Sequence, residues 1–208
     1  MRKRFGQTFQ AYLNEHQTLY VFTIVLFAMG VVFGAVLVNS LGLSQKEELL
    51  RFLEYFFSNM NRGGLADPQL HFLQSFAFYL KTVGIMWILG LSIIGLPMIL
   101  LLLFLKGIVV GFTVGFLVSQ MQWQGVMYAL AGVLPQNMLV VPALILIGVG
   151  GISFSLRLIK TRLLSKRDQI MPHFLSYSVL VLVMFSVLTI AALFETFVSP
   201  TLIRYVTN

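Results

Sequence analysis

Between residues 82 and 156 the chain carries one formal charge, Lys106. A small soluble core has no room for an apolar run of that length. About 20 apolar residues, rising ~1.5 Å each, cross the ~30 Å hydrocarbon layer of a bilayer, so the run reads as membrane-spanning helices. Composition agrees: 58% of residues are hydrophobic and 10% charged, where a soluble domain carries about 25% charged. The net charge of +7 could suggest a nucleic-acid partner. The basic residues instead flank apolar segments, as membrane anchors do, and no nucleic acid is expected. There is no cysteine, which excludes disulfides, thiolate chemistry and cysteine metal sites within the chain.

The pattern predicts an all-α polytopic membrane protein, a single integral domain over residues 1–208 with five spans, at residues 20–38, 76–105, 107–130, 138–156 and 173–194. A cleaved signal peptide is rejected: the first segment is too long for a signal h-region, and no A-x-A pattern follows. Lys81 and Pro97 interrupt the second span, and Gln120, Gln122 and Gln124 dilute the third. Lys106 is expected at the inner boundary between these two. The positive-inside rule places Met1 in the cytoplasm. Nine basic residues then lie inside (Arg2, Lys3, Arg4, Lys106, Arg157, Lys160, Arg162, Lys166, Arg167) and five outside (Lys46, Arg51, Arg62, Lys81, Arg204). An odd number of spans leaves the C-terminus outside.

Residues 43–73 form the one long non-spanning segment, on the outer side. Ser44-Gln45-Lys46-Glu47 fits a capping box. Leu49, Phe52, Leu53 and Phe56 follow at helical spacing, with Lys46, Glu47, Glu54 and Ser58 on the opposite face. Asn61-Arg62-Gly63-Gly64 ends this helix and Asp67-Pro68 begins another. Such an amphipathic helix rests its apolar face among lipid headgroups. Its polar face is a candidate docking surface for an extracytoplasmic partner.

Gly107, Gly111, Gly115 and Ser119 recur every four residues, a stripe that lets another helix approach closely. The facing helix belongs to the same chain or to a second copy in a homo-oligomer. Pro135-Gln136-Asn137 opens the fourth span. A proline there frees backbone carbonyls, which Gln136 and Asn137 can serve with amide donors. Lys81 and Glu195, both expected near the outer boundary, are a candidate ion pair between the second and fifth spans.

No catalytic set is legible. There is no H-E-x-x-H, no G-x-S-x-G and no phosphate-binding glycine loop. Glu47-Glu48-Leu49-Leu50-Arg51 is one residue short of the Glu-Glu-x-x-x-Arg of intramembrane glutamic proteases and lies outside the spans. His16, His71 and His173 sit at segment ends on different sides of the membrane and cannot share a metal. A non-enzymatic chain without cofactor or metal is expected.

Several motifs carry a resemblance. Residues 106–116 read Lys-Gly-Ile-Val-Val-Gly-Phe-Thr-Val-Gly-Phe, residues 134–137 Leu-Pro-Gln-Asn, residues 142–146 Pro-Ala-Leu-Ile-Leu, and residues 194–200 Phe-Glu-Thr-Phe-Val-Ser-Pro. With the basic start and the outer amphipathic segment, the chain resembles the stage II sporulation protein M family of endospore-forming bacteria. Wider relatives carry Pro-His-Gly and a following Glu at the start of span four. Pro135-Gln136-Asn137 departs from that, so the likeness is to the sporulation branch and implies no role for a histidine there. The resemblance implies a membrane scaffold of forespore engulfment. It would sit at the sporulation septum and the engulfing mother-cell membrane, and would anchor stage II sporulation proteins D and P, which cleave septal peptidoglycan. The competing expectation is a small permease or the membrane subunit of an export system.

Overall fold

The computed structural model describes residues 17–61, 68–164, 170–199 and 201–203, and among these there is no strand. Six helices follow one another: α1 Gln17–Leu37, α2 Leu43–Asn61, α3 Pro68–Gly90, α4 Gly95–Tyr128, α5 Leu134–Leu164 and α6 Ile170–Phe197. A 3-10 turn, Val38–Ser40, extends α1, and a π-helical turn, Ala129–Val133, joins α4 to α5. Four stretches are long and apolar enough to cross a membrane: Gln17–Ser40, Gln69–Gly90, Gly95–Thr161 and Met171–Ile203.

The third of these has 67 residues, which as one straight helix would reach about 100 Å. It is instead folded back on itself. Gln122 has φ 48° and ψ −122°, the one positive-φ non-glycine among the described residues. Three residues later, a Cβ on Gly125 would overlap the carbonyl of Leu117. Residues eight apart on a straight helix are ~12 Å apart, so the chain reverses at Gln122. The ascending arm is residues 95–121. The returning arm starts at Trp123 and continues through the π turn into α5. The three glutamines that dilute the sequence here are the polar tip of a helical hairpin.

The helix boundary expected at Lys106 lies elsewhere. The break is a turn over residues 91–94, and Lys106 sits in the middle of the ascending arm. Accordingly residues 76–105 and 107–130 are not helical units. Turn chemistry outweighs the lone lysine. The Ser92 hydroxyl accepts the Ile94 amide at 3.3 Å. The Ser155 hydroxyl, on α5, lies 3.0 Å from the Gly90 carbonyl and 2.8 Å from that of Ser92. Pro97 falls in the first turn of α4, where a missing N–H leaves no bond unmade.

The core lies among α3, α4, α5 and α6. Met86, Ile99, Leu103, Ile147, Ile152 and Leu188 are fully buried there. Tyr177 fills the notch left by Gly90, Gly150 and Gly151 and donates to the Met86 carbonyl at 3.1 Å. At one end of the bundle the Arg157 guanidinium donates to Nε2 of His173 at 2.7 Å, tying α5 to α6. Helix α1 lies outside this core and packs chiefly along α4.

Candidate functional site

Helices in lipid gain little from hiding apolar surface, so their contacts rest on close approach or on polar bonds. Both occur here, at different seams. Along α1 and α4 the backbones touch. A Cβ on Gly107 would come within 2.5 Å of the Phe27 carbonyl, and one on Gly115 within 2.9 Å of the Ala35 Cα. A Cβ on Gly111 would overlap the backbone of Val31, and one on Gly34 that of Ile108. The stripe on α4 thus faces α1 of the same chain, and Gly30 and Gly34 answer it from the other side. Ser119 does not continue it: this residue is exposed and donates to the Phe116 carbonyl at 3.0 Å. Gly30 and Gly34 are the part sequence reasoning missed, though their four-residue spacing in an apolar run was the signal.

The second seam is polar. The Tyr79 hydroxyl on α3 donates to Oε2 of Glu195 on α6 at 3.0 Å. His71 Nδ1 and Thr196 Oγ1 face each other at 3.5 Å between the same two helices. Lys106 Nζ stands 6.0 Å above the ring of Phe78. Glu195 is near enough for its charge to act on Lys106. The partner that sequence reasoning gave Glu195, Lys81, is exposed. The bond comes instead from Tyr79, two residues earlier on the opposite side of α3. The reason is helical geometry: two residues turn ~200°, so only one of Tyr79 and Lys81 can face the core.

Gln136 and Asn137 lie at the same level. A Cβ on Gly150 would meet Leu180 at 3.2 Å, and one on Gly132 would meet Ile203 at 3.1 Å. That antiparallel register sets residues 136 and 137 beside residues 195–199. The Asn137 amide donates to the Val133 carbonyl at 2.7 Å, the service expected of it beside Pro135. Pro135 itself is half-buried, just after the π turn. Gln136 Oε1, Asn137 Oδ1 and Ser199 Oγ are buried without a hydrogen-bond partner among the described residues.

Helix α2 is the third feature. It has no packing partner of substance among the described residues. Phe52 and Tyr55 are exposed, Leu49 and Leu53 half-buried, Glu47 exposed and Lys46 half-buried. Glu54 and Ser58 fall within its helical range. Its start differs from the expected capping box. Gln45 Oε1 accepts the Gly42 amide at 3.0 Å, so Gly42 caps the helix and Gln45 holds the reciprocal position. Ser44 and Glu47 are released from that duty because the helix starts two residues earlier, at Leu43. The turn expected at Arg62-Gly63-Gly64 and the cap at Asp67 lie outside the described residues. So do the basic groups Arg2, Lys3, Arg4, Lys166, Arg167 and Arg204.

A bundle of long apolar helices joined by a glycine seam and a buried polar seam defines an all-helical membrane protein. No group of three or more His, Cys, Asp or Glu able to hold a metal occurs among the described residues. A family model, Stage II sporulation protein M, matches residues 23–200. The chain belongs to the stage II sporulation protein M family and is a sporulation-related membrane protein. No curated protein and no solved structure matches it.

Proposed function

We propose that this protein is a non-enzymatic membrane scaffold of engulfment, holding septal peptidoglycan hydrolases, stage II sporulation proteins D and P, at the septal membrane. The observation that carries this is α2. A helix that follows α1 in sequence and has no packing partner of substance among the described residues leaves its polar face available to a partner. The hairpin at Gln122 supports five crossings: α1, α3, the ascending arm of α4, the returning arm with α5, and α6. With Met1 in the cytoplasm, α2 and the Gln122 tip lie outside, and Arg157 and Lys160 inside. An odd number of crossings puts Asn208 outside.

Topology and partner are tested together. In a chain without cysteine, Ser44→Cys reacts with an impermeant thiol reagent on intact cells and Ser165→Cys does not. The reverse labelling would sink the orientation. Glu47→Lys with Glu54→Lys reverses two charges seven residues, about two turns, apart on one face of α2. Capture of proteins D and P after mild solubilisation falls several-fold while membrane insertion is unchanged. Because Glu47 is not the capping residue, the loss reads as charge. Normal capture would leave α2 as a lipid-resting helix only.

The polar seam favours a second reading, a permease or export subunit, since ionisable groups inside a bundle often mark a path for ions or solutes. Copurification separates the two: cell-wall hydrolases support the scaffold, a cytoplasmic ATPase the export subunit.

A further inference from the structure

We propose that the outward face of α3 and α4 binds a membrane-embedded partner helix that carries a carboxylate near mid-depth, with Lys81 and Lys106 as its counter-charges. The inference rests on α3 and α4 crossing the bilayer. It does not depend on which proteins the scaffold holds.

Depth comes first. Ser155 ties the turn at residues 91–94 to α5, two residues before Arg157, where the apolar run ends and exposed Lys160 follows within one turn. Lys81 lies nine residues before Gly90 and Lys106 eleven after Gly95. At ~1.5 Å per residue they stand ~14 and ~17 Å above that end. In a layer ~30 Å thick that is the middle.

Direction comes second. Lys81 is turned ~200° from Tyr79, away from the buried row of Tyr79, Val83 and Met86, and is exposed. Lys106 stands over the ring of Phe78, a residue that is 58% exposed. Exposed Lys81 and half-buried Lys106 therefore flank Phe78, with Lys106 at the inner edge of this outward face. Around them that face is apolar, with Ile85, Leu105 and Val109 exposed.

Charge comes third. Neither lysine has a carboxylate at ion-pair distance among the described residues. Glu195 acts on Lys106, but Tyr79 already holds one of its oxygens. Two cations thus stand against one anion at a depth where an uncompensated charge is costly. A lipid phosphate sits at the interface, well above this level. A second copy offers no free acid, because Glu195 is the one acid within the four apolar stretches. An apolar helix with an Asp or Glu at its centre supplies both the missing charge and the apolar surface.

The test uses the full-length chain with Ile85→Cys as its one thiol, fluorophore-labelled, in phosphatidylcholine vesicles. The probe is a synthetic single-span polyleucine helix with one central Asp, compared with its all-leucine counterpart by energy transfer. The Asp helix is expected to associate about 10-fold more tightly, within the range of polar pairing between membrane helices. Lys81→Met with Lys106→Met abolishes the preference. Lys81→Met alone, at an exposed position with no contact to lose, reduces it at least about 3-fold and guards against misfolding of the double variant. Equal binding of the two helices overturns the proposal, as does a preference that survives Lys81→Met. Loss of the preference when phosphatidylglycerol is added overturns it in favour of a lipid counter-ion. A depth-quenching probe at Lys81→Cys that reports headgroup level would instead overturn the crossing itself, a separate failure.

Discussion

Two seams hold this bundle, and they do so by opposite means. Between α1 and α4, five glycines bring backbones into contact, and the one buried polar side chain on that side of α1, Thr23, is satisfied within its own helix by the Leu19 carbonyl. Between α3 and α6 the helices are joined instead through polar side chains, Tyr79 to Glu195 and His71 to Thr196. The first seam works through many small dispersion contacts that vanish together when the helices separate. The second works through single bonds whose loss strands one polar atom each. A glycine seam should therefore fail abruptly under substitution, and a polar seam by degrees.

Gly111→Leu is the largest test of that contrast. A side chain there meets the backbone of Val31, which has nowhere to go. Forced insertion into a packed contact costs about 1–3 kcal/mol and more where the obstacle is backbone. The expected result is loss of most folded protein, read by thermal melting in mild detergent, while Phe112→Leu on the same helix stays near wild type. Equal tolerance of the two would mean that α1 is not held by this stripe.

Tyr79→Phe tests the polar seam at a smaller scale. It removes the donor to Glu195 and keeps the ring. Hydrogen bonds to charged groups in water-soluble proteins are worth about 1.5–3 kcal/mol. Inside membranes the measured average is nearer 0.6, because the separated helices find other partners. A loss of about 0.6–1.7 kcal/mol in unfolding free energy is therefore expected. A loss as large as that of Gly111→Leu would erase the distinction between the seams.

Gly84→Ala calibrates both. No heavy atom lies within 4 Å of a Cβ built there, and the position is inside α3. Alanine in place of a helical glycine gains about 0.5–1 kcal/mol. A small rise in melting temperature is expected, which would show that the glycines of the seam matter by position and not by type. A destabilisation would reveal a contact to Gly84 from outside the chain.

The helical class, the apolar stretches and the glycine spacing were legible because each depends on local pattern: run length, a four-residue repeat, a paucity of charge. A helix at α2 was legible for the same reason, from the helical spacing of its apolar residues. Its capping residue was not. Gly42 with Gln45 and Ser44 with Glu47 satisfy overlapping versions of the same rule, and only the backbone geometry selects between them.

What the sequence by itself determined is that this chain enters a membrane as helices and belongs with the sporulation protein M family, since transfer of apolar residues into lipid needs no knowledge of neighbours. Tertiary structure alone decided what those helices do to one another. It set the reversal at Gln122, which no turn residue announces, because one backbone angle is stabilised by contacts between residues such as Gly125 and Leu117 that meet only after folding. It placed Tyr79 and not Lys81 on Glu195, because which side of α3 faces inward depends on how α5 and α6 pack against it. It also moved Lys106 from an expected boundary to the middle of a helix, over the ring of Phe78.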